Sequence, residues 1–386
     1  MRILYVKLGG IGDIVMSLPM IQAMRSRYED AVISWMCGLN VVSLLQAASG
    51  IDEFIVVDET RLLKGSAEEK GKELLRVWRR LFGRRFDLIL TGNHDWRYRL
   101  LTLTSWALER RSLGKMFGRR VPVPGRYHAD EYVRLFSGEE GPEVADTCLP
   151  VLRIEPHSAD VRKALGEANR PLVAIAPGGA KNVLAEQPLR RWPLERYVDL
   201  AKRLIDAGGQ VIVTGASSDA WVSPAFANLS VVDLVGKTDL TDLVAVYNVC
   251  DAIVVHDSGP FHLAQLSGAS VVGLFGPTNP GDFVSHKSRA TIFWGGKELA
   301  CRPCYDGKHF ADCPNNVCMQ EISVGAVLDA LGEVLARATN LEARGANGGI
   351  RPTFEYTSKN ADVSASRDCC VVLGATRQRQ ATDGRE

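Results

Sequence analysis

Three loops of this chain set glycine beside charged side chains, a combination that lets backbone and charge approach an anionic ligand together. In the first, Gly9, Gly10 and Gly12 lead into Asp13. The pattern fails as a dinucleotide fingerprint, because counting from Gly10 and Gly12 puts Val15 where the third glycine belongs. The second strand, which should end in an acidic ribose ligand, ends instead in Cys37 and Gly38. In the second loop, APGGAKN, Gly178 and Gly179 precede Lys181 and would let backbone reach a diphosphate, while Arg190 and Arg191 downstream could neutralise its oxygens. In the third, His256, Asp257, Ser258 and Gly259 end an apolar run and open a helix through Pro260, with His262 on its first turn. Unpaired N–H groups and the helix dipole favour a phosphate at such a place. Each loop has a plainer alternative: Asp13 and Asp257 as helix caps, His262 as a packed surface residue, and the second loop as one of the many glycine loops and arginine pairs that bind nothing.

A fourth stretch, CRPCYDGKHFADCPNNVCM, spaces Cys301, Cys304, Cys313 and Cys318 as C-x2-C-x8-C-x4-C. Four thiolates could close round one tetrahedral ion, zinc or iron, which would then be structural because no position is left for substrate water. The alternative is a loop of free thiols.

These loops need strands to position them, and the sequence supplies two sets. RILYVKL, AVISWMC, EFIVVD and FDLILTG alternate with helical stretches in the first half; LVAIAPGG, QVIVTG, VVDLVG, AIVVHDSG and SVVGLFGPT do so in the second. The polar stretch SGEEGPEVADT separates them. The expectation is an α/β protein of two doubly wound units in tandem, with ligand in the cleft between the carboxyl ends of their strands. Within the first unit, Ile14 to Met24 reads as the opening helix. Beyond about Ala338 the periodicity dissolves, and residues 339–386 read as a disordered tail in which Cys369 and Cys370 have no geometry to hold a redox site.

Bulk properties narrow the class. A net charge of +1 over 386 residues argues against bulk nucleic-acid binding. No apolar run of membrane-spanning length is present, and Met1 leads straight into a strand, so a cytoplasmic protein is expected, with nine cysteines as thiols or ligands rather than disulfides.

Taken in order, VKLGGIGDIVMSLP, HADEYVRLF, PGGAK with RRWPLERYVDLAKRL, DLVGKTDLTDLVAVYNVCDAIVVHDSGPFHLA and GLFGPTNP resemble glycosyltransferase family 9, the ADP-heptose:lipopolysaccharide heptosyltransferases, over roughly Met1 to Leu335. The resemblance implies a GT-B fold: two Rossmann-like domains, with the acceptor held by residues 1–150 and the nucleotide-sugar by residues 165–338. It implies inversion at the anomeric carbon with no cofactor essential for catalysis, and it places the family's catalytic base on Asp13. The donor contacts it implies fall on Gly10, Gly12, Gly178, Gly179, Lys181, Asp257, Ser258, Gly259 and His262, with Arg190 where the family carries a phosphate-binding lysine. On the acceptor side the chain departs from the family, offering Asn93, Asp95 and Arg97 in TGNHDWRYRLL. The expected partners are ADP-heptose and a saccharide or glycolipid acceptor. The basic runs RVWRRLFGRRF and GKMFGRRVPVPGR could meet an anionic glycolipid at the inner face of the membrane, or could be solvated faces. Some relatives that glycosylate proteins carry a metal finger where the four cysteines fall. A nucleotide-sugar 2-epimerase of the same fold and a catalytically silent scaffold are the alternatives.

Overall fold

The computed structural model describes residues 1–114, 125–138, 147–166, 170–181, 185–305 and 310–345. The expected tail beyond 345, with its cysteine pair, and most of GKMFGRRVPVPGR and SGEEGPEVADT lie outside the described residues.

Five strands, β1 (Arg2–Val6), β2 (Val32–Gly38), β3 (Glu53–Val57), β4 (Arg85–Thr91) and β5 (Trp106–Ser112), form a parallel sheet in the order β3-β2-β1-β4-β5. Six more, β6 (Leu172–Ala176), β7 (Gln210–Val213), β8 (Val231–Asp233), β9 (Ala252–His256), β10 (Ser270–Phe275) and β11 (Thr291–Trp294), form a second parallel sheet in the order β11-β10-β9-β6-β7-β8. Both orders reverse direction beside their first strand, the arrangement that opens a ligand crevice at the carboxyl ends. In the first sheet that point is between β1 and β4, and in the second between β6 and β9. Central strands such as LVAIA and AIVVH are buried along their whole length, because helices cover both faces of each sheet.

The helices are α1 (Ile11–Met16), α2 (Leu18–Arg27), α3 (Val42–Ala47), α4 (Glu59–Lys64), α5 (Ala67–Leu81), α6 (Arg97–Leu100) and α7 (His128–Ser137) in the first half. In the second half they are α8 (Ala159–Gly166), α9 (Leu194–Asp206), α10 (Leu240–Val249), α11 (Gly259–Ala264), α12 (Val317–Gln320) and α13 (Val324–Gly345). One apolar core runs from Tyr5, Val15 and Trp35 through Tyr132 to Ala174, Val255 and Phe261, so the facing sides of the two sheets share it. Leu4, Met36 and Leu81 fill the outer side of the first sheet; Val254, Tyr197 and Leu331 fill that of the second.

Two expectations change. The opening helix is not Ile14 to Met24: α1 begins at Ile11, and the chain re-starts as α2 after Ser17, whose hydroxyl donates to the Asp13 carbonyl at 2.8 Å, with Pro19 on the next turn. Asp13 therefore stands in the first turn of a helix rather than at the end of a loop. At the other end, α13 carries helical backbone through Gly345, past the expected boundary at 338.

Asn93, after β4, is 8% exposed, and its amide holds Leu8 from both sides: Leu8 N–H donates to Oδ1 at 3.0 Å and Nδ2 donates to the Leu8 carbonyl at 2.7 Å. This clamp ties the Asp13 loop to the neighbouring strand across the crevice. Asn93→Ala leaves both backbone groups unpaired and is expected to lower stability by about 1–3 kcal/mol in chemical denaturation, with an unchanged midpoint showing that the clamp contributes nothing.

Candidate active site

Asp13 lies where β1 delivers the chain to the crevice. Lys7, one residue past β1, is 2% exposed, and its ammonium lies 3.3 Å from Asp13 Oδ1 while donating to the Gly92 carbonyl at 3.2 Å. From α7 the Tyr132 hydroxyl donates to the same carboxylate oxygen at 2.6 Å, and its ring lies 4.8 Å from the Lys7 ammonium. Burial pushes the Asp13 carboxyl up, but the Lys7 charge and the Tyr132 hydrogen bond outweigh it and hold the group at about 2. At neutral pH Asp13 is therefore an oriented carboxylate. Gly10 caps α1 with its backbone, so the helix-cap alternative for Asp13 is not realised. Nearby, the Glu59 carboxylate accepts from the Gly9 N–H and is pushed up to about 7 by burial and by the Asp13 charge.

The second sheet brings its residues to the same place. Asp257, just past β9, is 1% exposed; Thr278 donates to its Oδ2 at 2.6 Å, and the Arg190 guanidinium lies 3.3 Å from that oxygen. Ser258 caps α11 without a side-chain hydrogen bond, so Asp257 is no cap either. Among the described residues, three buried polar atoms here have no partner: Asp257 Oδ1, Arg190 Nε and His262 Nδ1. Buried polar groups are nearly always satisfied, so unsatisfied ones converging on a crevice mark where a polar ligand sits. His262 is held at about 4 by burial and is neutral at pH 7.

The two halves meet at glycine. A Cβ on Gly12 would stand 2.5 Å from the His262 ring, and one on Gly259 would stand 3.2 Å from Ile11 Cδ1, so α1 and α11 cross at a separation that side chains would prevent. Gly178 and Gly179 also lie at the β6–β9 crevice. Gly179, with φ of +83°, donates to Asp219 Oδ1 at 3.0 Å and backs onto Ser258, while a Cβ on Gly178 would strike Asp219. Arg191 is tied to the Gly179 carbonyl at 2.8 Å.

Other expected residues stand apart. Lys181 is half-exposed and reaches Glu186 at 4.0 Å rather than the crevice. The amide of Asn93 is committed to Leu8, and Asp95 pairs with Arg97 at 2.5 Å on the exposed start of α6. Sequence reading overlooked Lys7, Tyr132, Asp219 and Thr278. Lys7 carried a signal, a charge directly after the buried apolar run Ile3 to Val6.

The four cysteines stand near enough to one another for their thiols to interact, and the neighbouring ones help push Cys304 and Cys318 up. Among the described residues, the group whose ligand atoms lie within 4.8 Å of one another is His157, Asp239 and Asp242, not the thiols. Burial and the neighbouring cysteines push the Cys304 thiol up, and burial pushes Cys318 up to about 11, whereas Cys301 is exposed.

The model of glycosyltransferase family 9 (heptosyltransferase) matches residues 74–313. The chain belongs to that family. This glycosyltransferase is 28% identical over 324 residues to lipopolysaccharide heptosyltransferase 2 of Salmonella typhimurium, covering 75% of the chain and 87% of the relative. Its fold is similar to that of the family 9 glycosyl transferase from Veillonella parvula, with a TM-score of 0.70 at 22% identity over 87% of this chain and 97% of that one. It is also similar to E. coli ADP-heptose lps heptosyltransferase II, at 0.66 and 21% over 88% and 100%. The iron-containing dodecameric glycosyltransferase TibC of E. coli gives 0.55 at 13% identity over 88% and 76%. The two parallel sheets are thus those of a GT-B enzyme. Among the described residues no helix is long and apolar enough to cross a membrane.

Two measurements follow from this geometry. Tyr132→Phe removes a hydrogen bond that favours the ionised carboxylate, so Asp13 should titrate higher and the acid limb of kcat/KM should move up in pH; an unmoved limb would separate Tyr132 from the chemistry. Timed thiol labelling of protein purified without a metal-affinity tag should find Cys301 fastest and Cys318 slowest. If all four are blocked and elemental analysis finds stoichiometric metal, the loop closes round an ion.

Proposed function

We propose that this glycosyltransferase moves heptose from ADP-heptose to a saccharide of the lipopolysaccharide core, inverting the anomeric centre, with Asp13 as general base. The observation that carries this reading is the meeting of two unlike sites at one seam. An oriented carboxylate comes from the first sheet, and the unpartnered atoms of Arg190, Asp257 and His262 come from the second. The lipopolysaccharide heptosyltransferases among its relatives favour the donor and the acceptor class.

In this mechanism the diphosphate lies against Arg190, beside Ser258 and Gly259 at the opening of α11 and the backbone of Gly178 and Gly179. Charge gathers on the departing diphosphate as the sugar becomes oxocarbenium-like, and the guanidinium stabilises that charge more strongly in the transition state than in the ground state. The acceptor hydroxyl enters from the Asp13 side. A carboxylate held at about 2 is a weak base towards a free alcohol, but the hydroxyl acidifies steeply once its oxygen begins to bond to the electron-poor anomeric carbon. Proton transfer to Asp13 then follows bond formation, and Lys7 and Tyr132 keep the accepting oxygen aimed. A glycolipid acceptor would bring the protein to the inner face of the membrane.

Asp13→Asn keeps the shape and removes the base. Transfer from ADP-heptose should fall by ~10²–10⁴ while ADP binding by calorimetry stays within about twofold. Arg190→Ala should do the opposite in emphasis, weakening ADP by about 1–3 kcal/mol. Full turnover by Asp13→Asn would remove Asp13 from the mechanism.

A further inference from the structure

The cysteine loop reaches the donor site through two aromatic rings. Tyr305 and Phe310 face each other across an antiparallel bridge, their rings stacked at 4.6 Å and 29°. The Arg190 guanidinium carbon lies 5.2 Å from the Tyr305 ring, 5.4 Å from Phe310 and 5.8 Å from Phe283. The loop is anchored on both sides of this contact. Cys304 N–H and Tyr305 N–H donate to the Pro277 carbonyl at 3.0 and 3.3 Å, and the Asn316 amide donates to the Arg191 carbonyl at 3.4 Å. Cys318 backs onto Gly276, where a Cβ would stand 2.8 Å from its sulfur.

We propose that Tyr305 and Phe310 are positioning residues for the donor: they hold the Arg190 guanidinium in one orientation, and the anchored ends of the cysteine loop present them. The inference rests on the reading of Arg190 as a diphosphate ligand. A guanidinium is planar and weakly hydrated, so aromatic faces can hold it without taking the N–H groups in its plane that a phosphate needs. With Asp257 on one edge, the rings leave Nε, buried and without a partner among the described residues, as a donor for the ligand. A lysine ammonium has no plane to be held by. The aromatic pair and the arginine therefore belong together, and removing the rings should matter only while residue 190 is arginine.

That dependence is the test. ADP affinity is measured by calorimetry for wild type, Arg190→Lys, Tyr305→Ala with Phe310→Ala, and all three changes combined, with Tyr305→Phe as a ring-retaining control. Ring removal should weaken ADP about 5- to 30-fold in the arginine background and less than about twofold in the lysine background. It should raise KM for the nucleotide-sugar with little change in kcat, and Tyr305→Phe should bind as wild type. An equal loss in both backgrounds would show that the rings serve only to fold the loop, and no loss in either would overturn the proposal. Failure of wild type to bind ADP at all would instead overturn the reading of the donor site on which it rests.

Discussion

The Lys7 ammonium, almost wholly buried, sits 3.3 Å from the Asp13 carboxylate, and a buried ammonium at the end of β1 needs such a counter-charge. Their pairing requires Gly92 to offer its carbonyl and Tyr132 its hydroxyl, which brings β4 and α7 to the same point. Beside the ammonium and the Tyr132 hydroxyl the Asp13 carboxylate stays ionised and directed, because their pull outweighs the upward push of burial. The remaining features of the first domain, including the Asn93 clamp on Leu8 and the Ser17 bond to the Asp13 carbonyl, keep that carboxylate at a fixed height above the sheet.

A second constraint is steric and acts between the domains. Gly12 faces the His262 ring and Gly259 faces Ile11, so the helix that carries Asp13 lies directly on the helix that follows Asp257. Each sheet contributes its own crevice, and the shared apolar core brings the two crevices together. A glycosyl transfer of the proposed kind needs this closeness, since the acceptor oxygen, the anomeric carbon and the leaving diphosphate oxygen must lie nearly in line, with the base beside the acceptor oxygen.

Much of this was legible in the sequence, for identifiable reasons. Apolar runs ending in glycine or a charged residue gave nine of the strands, because strands covered on both faces must be apolar throughout. The strands β5 and β11 were hidden: WALERRS is an exposed edge with mixed polarity, and TIFW is short and only half-buried. The glycine loops announced Asp13, Gly178, Gly179 and Asp257, since local backbone demands leave a mark on sequence. Partners such as Tyr132 on Asp13, Thr278 on Asp257 and Asp219 on Gly179 left none, because they are set by tertiary contacts between distant segments. The same holds for Asn93, whose polar side chain suggested a ligand contact but clamps Leu8, and for Lys181, which stands half-exposed near Glu186.

The central claim is that donor and base meet across the α1–α11 seam. Its most direct test is an experimental structure with an unreactive fluorinated ADP-sugar bound. The account predicts the diphosphate within hydrogen-bond reach of the Arg190 guanidinium and the anomeric carbon on the side facing Asp13, with room between them for one hydroxyl. A diphosphate bound elsewhere, or an anomeric carbon turned away from Asp13, would contradict it.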